Sequence, residues 1–308
     1  MDSNSVSPMP ECNSQAPIAE FDKTPPTPPE DTLPMEDLPP PPTTVTVQEE
    51  KEKEAEAEAH RHYEDDNEWS CGSWLEYTVV VVLASILLLG SLGLTLFWVI
   101  QYRQGFAWRD DPVKQFNLHP VLMVAGFITF SGFSVLLYRI CRCCRRIYVK
   151  LLHTVFHALA IPCVAIGFLA VLDSHNLKQP PIPNFYSLHS WIGLVTMGLF
   201  AIQFVVGFFS FLILLCCEGA TAGFRAALVP IHASFGLTTF MLAIAACVSG
   251  LTEKALFTLG DSYSQWIDEG IVINTLGVCL IALGILVSFA VRSPTLQGTG
   301  KLLNKEHI

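Results

Sequence analysis

The sequence predicts an all-α membrane protein: a six-transmembrane-helix bundle behind a disordered N-terminal tail. Three observations carry that reading. The 308 residues are 51% hydrophobic, yet the formal charge of −10 is concentrated at one end. Residues 1–70 hold 18 of the 28 acids against 4 Lys/Arg, so everything after them is net cationic. Beyond that point, six segments contain no Asp, Glu, Lys or Arg, and each is long enough for the ~20 apolar residues that a bilayer core requires of a helix.

In chain order, residues 1–70 form an acidic arm with 12 of the 20 prolines in residues 1–42. Such composition buries too little apolar surface to fold. Within the arm, Glu49–Ala59 has charge enough for a solvated helix, but reads as a spacer. The start of the chain shows no basic region followed by an apolar one, so no signal peptide is expected. The spans are Tyr77–Tyr102, Gln115–Tyr138, Leu151–Leu172, Gln179–Cys217, Ala226–Thr252 and Gly270–Val291. The fourth is overlong, and its Pro180-Pro181-Ile182-Pro183 start belongs to a loop, which puts its helix from about Ser187. Continuous apolar runs exclude a barrel, whose strands alternate. The bundle domain thus covers residues 71–292, followed by a cytosolic C-terminal tail, 293–308.

Orientation follows from loop cations. One face carries Arg139, Arg142, Arg145, Arg146, Lys150, Arg225, Arg292, Lys301 and Lys305; the other has Arg103, Arg109, Lys114, Lys178 and Lys254. The richer face is expected to be cytosolic, with both termini. The ten cysteines do not suggest disulfides. Cys163, Cys247 and Cys279 lie within spans, and Cys141, Cys143, Cys144, Cys216 and Cys217 sit at span ends in a reducing compartment. These last are palmitoylation candidates or inert thiols.

Ionisable residues within spans are costly and mark function. His119, His153, His189 and His232 each lie near the start of an uncharged span. Consecutive spans run in opposite directions, so His119 and His189 fall near one face and His153 and His232 near the other. Two imidazole pairs at matched depths suit two bis-histidine haems stacked across the membrane, a constellation for electron transfer because no axial position stays open. The levels are expected about 25 Å apart along the helices. His157 lies one turn deeper than His153 on the same face, and would hydrogen-bond or pack beside the macrocycle. His175 reads as a loop residue after the third span; His60, His62 and His307 lie in the tails. Gly126, Gly132, Gly193, Gly198, Gly207, Gly236 and Gly250 permit either close helix packing or room for a flat macrocycle.

A set of motifs then resembles a known family. His119-Pro-Val-Leu-Met, Tyr138-Arg139, Lys150-Leu-Leu-His153, Asn184-Phe-Tyr-Ser-Leu-His-Ser-Trp191, Pro230-Ile-His232 and Gly250-Leu-Thr-Glu-Lys254 are similar to those of the cytochrome b561 family, ascorbate-dependent transmembrane reductases. The resemblance covers residues 75–292. It implies two b-type haems, with His153 and His232 holding the cytosolic one and His119 and His189 the outer one. By position it places cytosolic ascorbate near Arg139, Arg146, Lys150 and Arg225, and an outer acceptor near His175 and Tyr186. Arg146 stands where Lys is frequent, which keeps charge but not ready proton release. Ser174 stands where some ferric reductases of the family carry Asn. The implied acceptor is ferric iron or monodehydroascorbate; the other partners are membrane lipid and a second copy in a homodimer, with no nucleic acid. Plasma membrane, vesicle and endolysosome all stay open. A metal transporter built on His153 and His157 is the alternative reading, and a non-catalytic membrane scaffold a third.

Overall fold

The computed structural model describes residues 44–141 and 144–293. The chain divides into two units, 1–60 and 61–308. All regular structure among the described residues is helical. Six helices there are long and apolar enough to cross a membrane: Leu75–Arg103, Pro112–Ile140, Arg146–Leu177, Leu188–Phe211, Gly219–Gln265 and Asp268–Arg292. The predicted all-α fold with six helices able to span a membrane is therefore observed.

The first span is the apolar part of α1, Thr44–Arg103. Residues 44–70, expected within the disordered tail, are helical, the charged stretch Glu49–Ala59 included. The reason is composition: Ala, Glu and Lys dominate that stretch and are among the strongest helix formers. The expectations for residues 1–43 and 294–308, and for Arg142 and Cys143, lie outside the described residues. Past Leu75, α1 buries Val80, Ala84, Leu88, Ser91, Thr95 and Trp98, a stripe at helical spacing, and turns Val79, Leu83 and Ile86 outward. It ends where Gln104 and Gly105 take positive φ, and Asn117 Nδ2 donates to the carbonyls of Arg103 (2.9 Å) and Gly105 (2.7 Å). That buried amide, two residues before His119, locks the turn at Gln104–Gly105.

The second span is assembled from pieces: α2 (Pro112–Phe116), α3 (Leu118–Met123), a π-helical stretch Val124–Phe130, and α4 (Ser131–Ile140). Asp111 caps α2 by accepting from the amides of Val113 and Lys114. π-helical turns insert an extra residue and are frequent at functional sites; this one begins one turn after His119. The remaining helices are α5 (Arg146–Leu177), α6 (Leu188–Phe211, capped by Ser187), α7 (Glu218–Leu259) and α8 (Asp268–Arg292). The Ser187 start agrees with the sequence reading. The fifth span is far longer than its charge-free core, because α7 includes Arg225 at one end and Glu253 and Lys254 at the other, and a 3-10 stretch, Gly260–Gln265, follows it.

In lipid the apolar surface gives helices little reason to associate, so close contact between small residues must. An added Cβ at Gly126 would meet Ala160 O and Cys163 Cβ at 3.1 Å, and one at Gly132 would clash with Leu88 Cδ2. These two glycines therefore serve helix packing. α8 contributes a buried stripe of Ile273, Leu276, Leu280, Leu283 and Val287.

Candidate functional site: two levels of paired imidazoles

The structure brings the four predicted histidines together as two facing pairs. The rings of His119 (α3) and His189 (α6) have centroids 5.9 Å apart and stand nearly perpendicular. Those of His153 (α5) and His232 (α7) are 6.2 Å apart. A metal–imidazole bond is about 2 Å, so one ion between two rings sets their centroids about 6 Å apart. Both pairs have that spacing.

Orientation at three of the four rings comes from a neighbouring helix. Nδ1 of His119 lies 3.1 Å from Gly167 O on α5, Nδ1 of His189 2.8 Å from Ala246 O on α7, and Nδ1 of His153 3.0 Å from Ser134 O on α4. A carbonyl can only accept, so each Nδ1 carries the proton. Nε2 is then the bare nitrogen, free to bind a metal. Ser134 adds a second hold, its hydroxyl donating to His153 O at 2.9 Å.

Glycines seat two of the rings reciprocally. A Cβ at Gly207 on α6 would stand 2.9 Å from Cε1 of His232 on α7, and one at Gly250 on α7 would stand 2.7 Å from Cε1 of His189 on α6. In both cases eighteen residues separate the helix's own histidine from its glycine, so the antiparallel pair α6/α7 meets itself twice. Among the described residues, a Cβ added at Gly193, Gly198 or Gly236 would have nothing within 4 Å, so these three border open space rather than a helix contact. The two roles of small residues left open by sequence thus fall to different glycines.

The levels are closer than expected. On α5, His153 and the Gly167 that holds His119 are fourteen residues apart, as are His232 and the Ala246 that holds His189 on α7. Fourteen residues rise about 21 Å.

At the His153–His232 end lie the four predicted cations. Arg139 donates to Val291 O at the end of α8, and Arg225 Nη1 to Leu214 O at 2.9 Å. Both guanidiniums therefore also tie helix ends together. Arg146 is exposed and Lys150 half-buried, in the first turns of α5. The positive end of that helix dipole carries no acid in its first turn, so an anion is favoured there. The exposed thiols of Cys144, Cys216 and Cys217 are free at the same end.

At the opposite end, His175 is not in a loop. It occupies the last turn of α5, which runs on to Leu177. Tertiary bonds extend the helix past its apolar core: Asp173 pairs with Arg109 at 2.9 Å, and Ser174 Oγ donates to Pro112 O at 2.7 Å. Ser174 is fully buried. His175 Nδ1 lies 3.0 Å from Asn184 Oδ1, and Asn184 in turn donates to Asn176 Oδ1 at 2.9 Å. Tyr186 is 59% exposed, open to a ligand from solvent. Sequence reasoning missed Phe116. Its ring stacks on His175 at 6.2 Å, lies 6.1 Å from His119, and carries Lys254 Nζ 4.0 Å over its centroid. The available signal was an aromatic residue one helical turn before His119. Ser134 was also missed, and a lone serine in a span gives no such signal.

The sequence profile of eukaryotic cytochrome b561 matches residues 118–258, which contain both imidazole pairs. The plasma membrane ascorbate-dependent reductase CYBRD1 of Xenopus tropicalis is 40% identical over 220 residues, 70% of this chain and 75% of the relative. The chain belongs to the cytochrome b561 family. Its relatives there include the human lysosomal membrane ascorbate-dependent ferrireductase CYB561A3, 39% identical over 67% of this chain and 86% of the relative. The pig transmembrane ascorbate-dependent reductase CYB561 is 36% identical over 68% and 80%. As a cytochrome b561, the chain is a multi-span haem protein.

Proposed function

We propose that this cytochrome b561 carries single electrons across a membrane from ascorbate on its cation-rich face to an acceptor on the other. The observation that carries the reading is the pair of facing imidazoles at each level, 5.9 and 6.2 Å apart. His153 with His232, and His119 with His189, would hold two b-type haems. Bound there, haem would supply one-electron chemistry.

The chain's own residues do the rest. Arg146 and Lys150, at the positive end of α5, attract the ascorbate monoanion, with Arg139 and Arg225 at the same end adding to the field. Ascorbate gives up one electron to the chain and one proton to solvent there, leaving monodehydroascorbate. The carbonyls of Gly167, Ala246 and Ser134 hold three imidazoles in the tautomer that presents Nε2. At the far end, His175, Tyr186 and the Phe116–Lys254 pair border the place where ferric iron or monodehydroascorbate takes the electron. The cation-rich face is cytosolic by the loop rule, with both termini on that side. Ferric iron as acceptor is supported by the ferrireductase among the relatives.

The test is the purified chain in proteoliposomes with ascorbate inside. Reduction of an external ferric chelate or of the ascorbyl radical, with a two-haem b-type spectrum, is the expected result. A colourless protein, or a reducible one that passes no electrons outward, would exclude the reading.

A further inference from the structure

We propose that one bound water at the His153–His232 level fixes the tautomer of His232, with Gln203 and His157 as the positioning residues that hold it. The inference rests on the reading of His232 as a haem ligand.

Three imidazoles have Nδ1 paired with a backbone carbonyl; His232 does not. Among the described residues its Nδ1 is buried without a protein partner, and so are Nδ1 of His157 and Oε1 of Gln203. Buried polar groups in native structures are nearly always satisfied, and an orphan calls for an explanation such as a water. The three side chains belong to the helices packed around one imidazole pair. The His157 ring is 4.6 Å from that of His153, which faces His232 at 6.2 Å, and 5.6 Å from that of Phe200. Gln203 lies one turn after Phe200 and one turn before Gly207, the residue that seats His232. One face of α6 thus presents, in order, a contact to His157, the orphan amide oxygen, and the contact to His232.

Donor counting selects a water. If Nε2 of His232 binds metal, its Nδ1–H is a donor. Gln203 Oε1 is an acceptor, and so is Nδ1 of a neutral His157 protonated on Nε2. One donor cannot serve two acceptors in full. A water accepts from His232 and donates to the other two, making the three bonds usual for a buried water. It gives His232 what carbonyls give the other rings. A hydrogen bond donated from Nδ1–H makes the ligand more basic, which favours the ferric state. Losing it should raise the potential of that haem alone.

The test uses the full-length holoprotein in nanodiscs, read by optical redox titration and by the EPR signals of the two low-spin ferric haems. The haem at this level is the one that His232→Ala loses; if His232→Ala loses none, the ligation reading fails rather than the water. In Gln203→Leu and His157→Leu the ferrous-to-ferric ratio of this haem, at its wild-type midpoint, should rise at least threefold. That is about 28 mV on the one-electron scale of 59 mV per tenfold. Its EPR signal should move and the other stay. His157→Gln, which keeps an acceptor, should restore both, and the double Leu variant should shift no more than the larger single. Unmoved midpoint and EPR signal with both haems retained, or additive shifts in the double variant, would overturn the proposal. Where a Leu variant loses haem, an experimental density map decides: solvent density bridging the three side chains supports the water, and a dry contact overturns it.

Discussion

Gly250→Ala should remove one haem and spare the other. The new Cβ would stand 2.7 Å from Cε1 and 2.8 Å from Nδ1 of His189, where ordinary contact begins at 3.4 Å. The ring must therefore retreat by about 0.7 Å, several times the ~0.2 Å within which metal–ligand distances are held. The same movement stretches the 2.8 Å bond from His189 Nδ1 to Ala246 O to the edge of useful geometry. Losing a bond that orients a metal-binding imidazole costs about 10–100-fold in affinity, or about 1.4–2.8 kcal/mol. Overpacking adds about 1–3 kcal/mol. The assay is haem content per chain by pyridine haemochrome, with a redox titration to show which transition is missing. The expected result is near one haem, with the His153–His232 transition unaltered. Gly207→Ala, 2.9 Å from His232 Cε1, should do the converse. Gly90→Ala, with nothing within 4 Å, should do neither. Equal loss of both haems in Gly250→Ala and Gly207→Ala, or full retention in both, would refute the reciprocal seating.

The pairing predicts that His153→Ala and His232→Ala lose the same haem, and His119→Ala and His189→Ala the other; spectra showing His119→Ala and His153→Ala missing the same one would break it. Lys150→Ala and Arg146→Ala should slow reduction by ascorbate several-fold with haem content unchanged. The deficit should narrow as salt rises and the screening length falls below about 8 Å; stopped-flow at several ionic strengths measures it. Glu269→Ala removes the partner of both Arg103 and Trp98 Nε1, and Arg103 and Glu269 are only 16% and 13% exposed. Loss of one member of such a pair costs about 3–5 kcal/mol, readable as a lowered thermal midpoint with both haem spectra intact below it. A chain beginning at Glu68 should keep both haems and the ascorbate reaction, since no predicted ligand precedes that residue.

Much of the architecture was legible in the chain itself. Charge-free runs fix the spans because a bilayer penalises every charge in its core, and span parity alone pairs His119 with His189 and His153 with His232. Helix ends were less legible. His175 was misplaced because Ser174 and Asp173 extend α5 through bonds to Pro112 and Arg109, residues about sixty positions away. Phe116 gave only the signal of an aromatic near His119 and Ser134 gave none, for the same reason: each matters through a partner on another helix. Which glycine packs a helix and which seats an imidazole was equally undecidable in one dimension. Gly132 and Gly250 look alike in sequence, and only the antiparallel fit of α6 on α7 brings Gly250 against His189 and Gly207 against His232. Periodicity and hydropathy are one-dimensional properties of a chain in a layered solvent, so sequence determines spans and depth. Tautomers, ring seating and buried hydrogen-bond partners arise from contacts between helices, so the tertiary structure decides them.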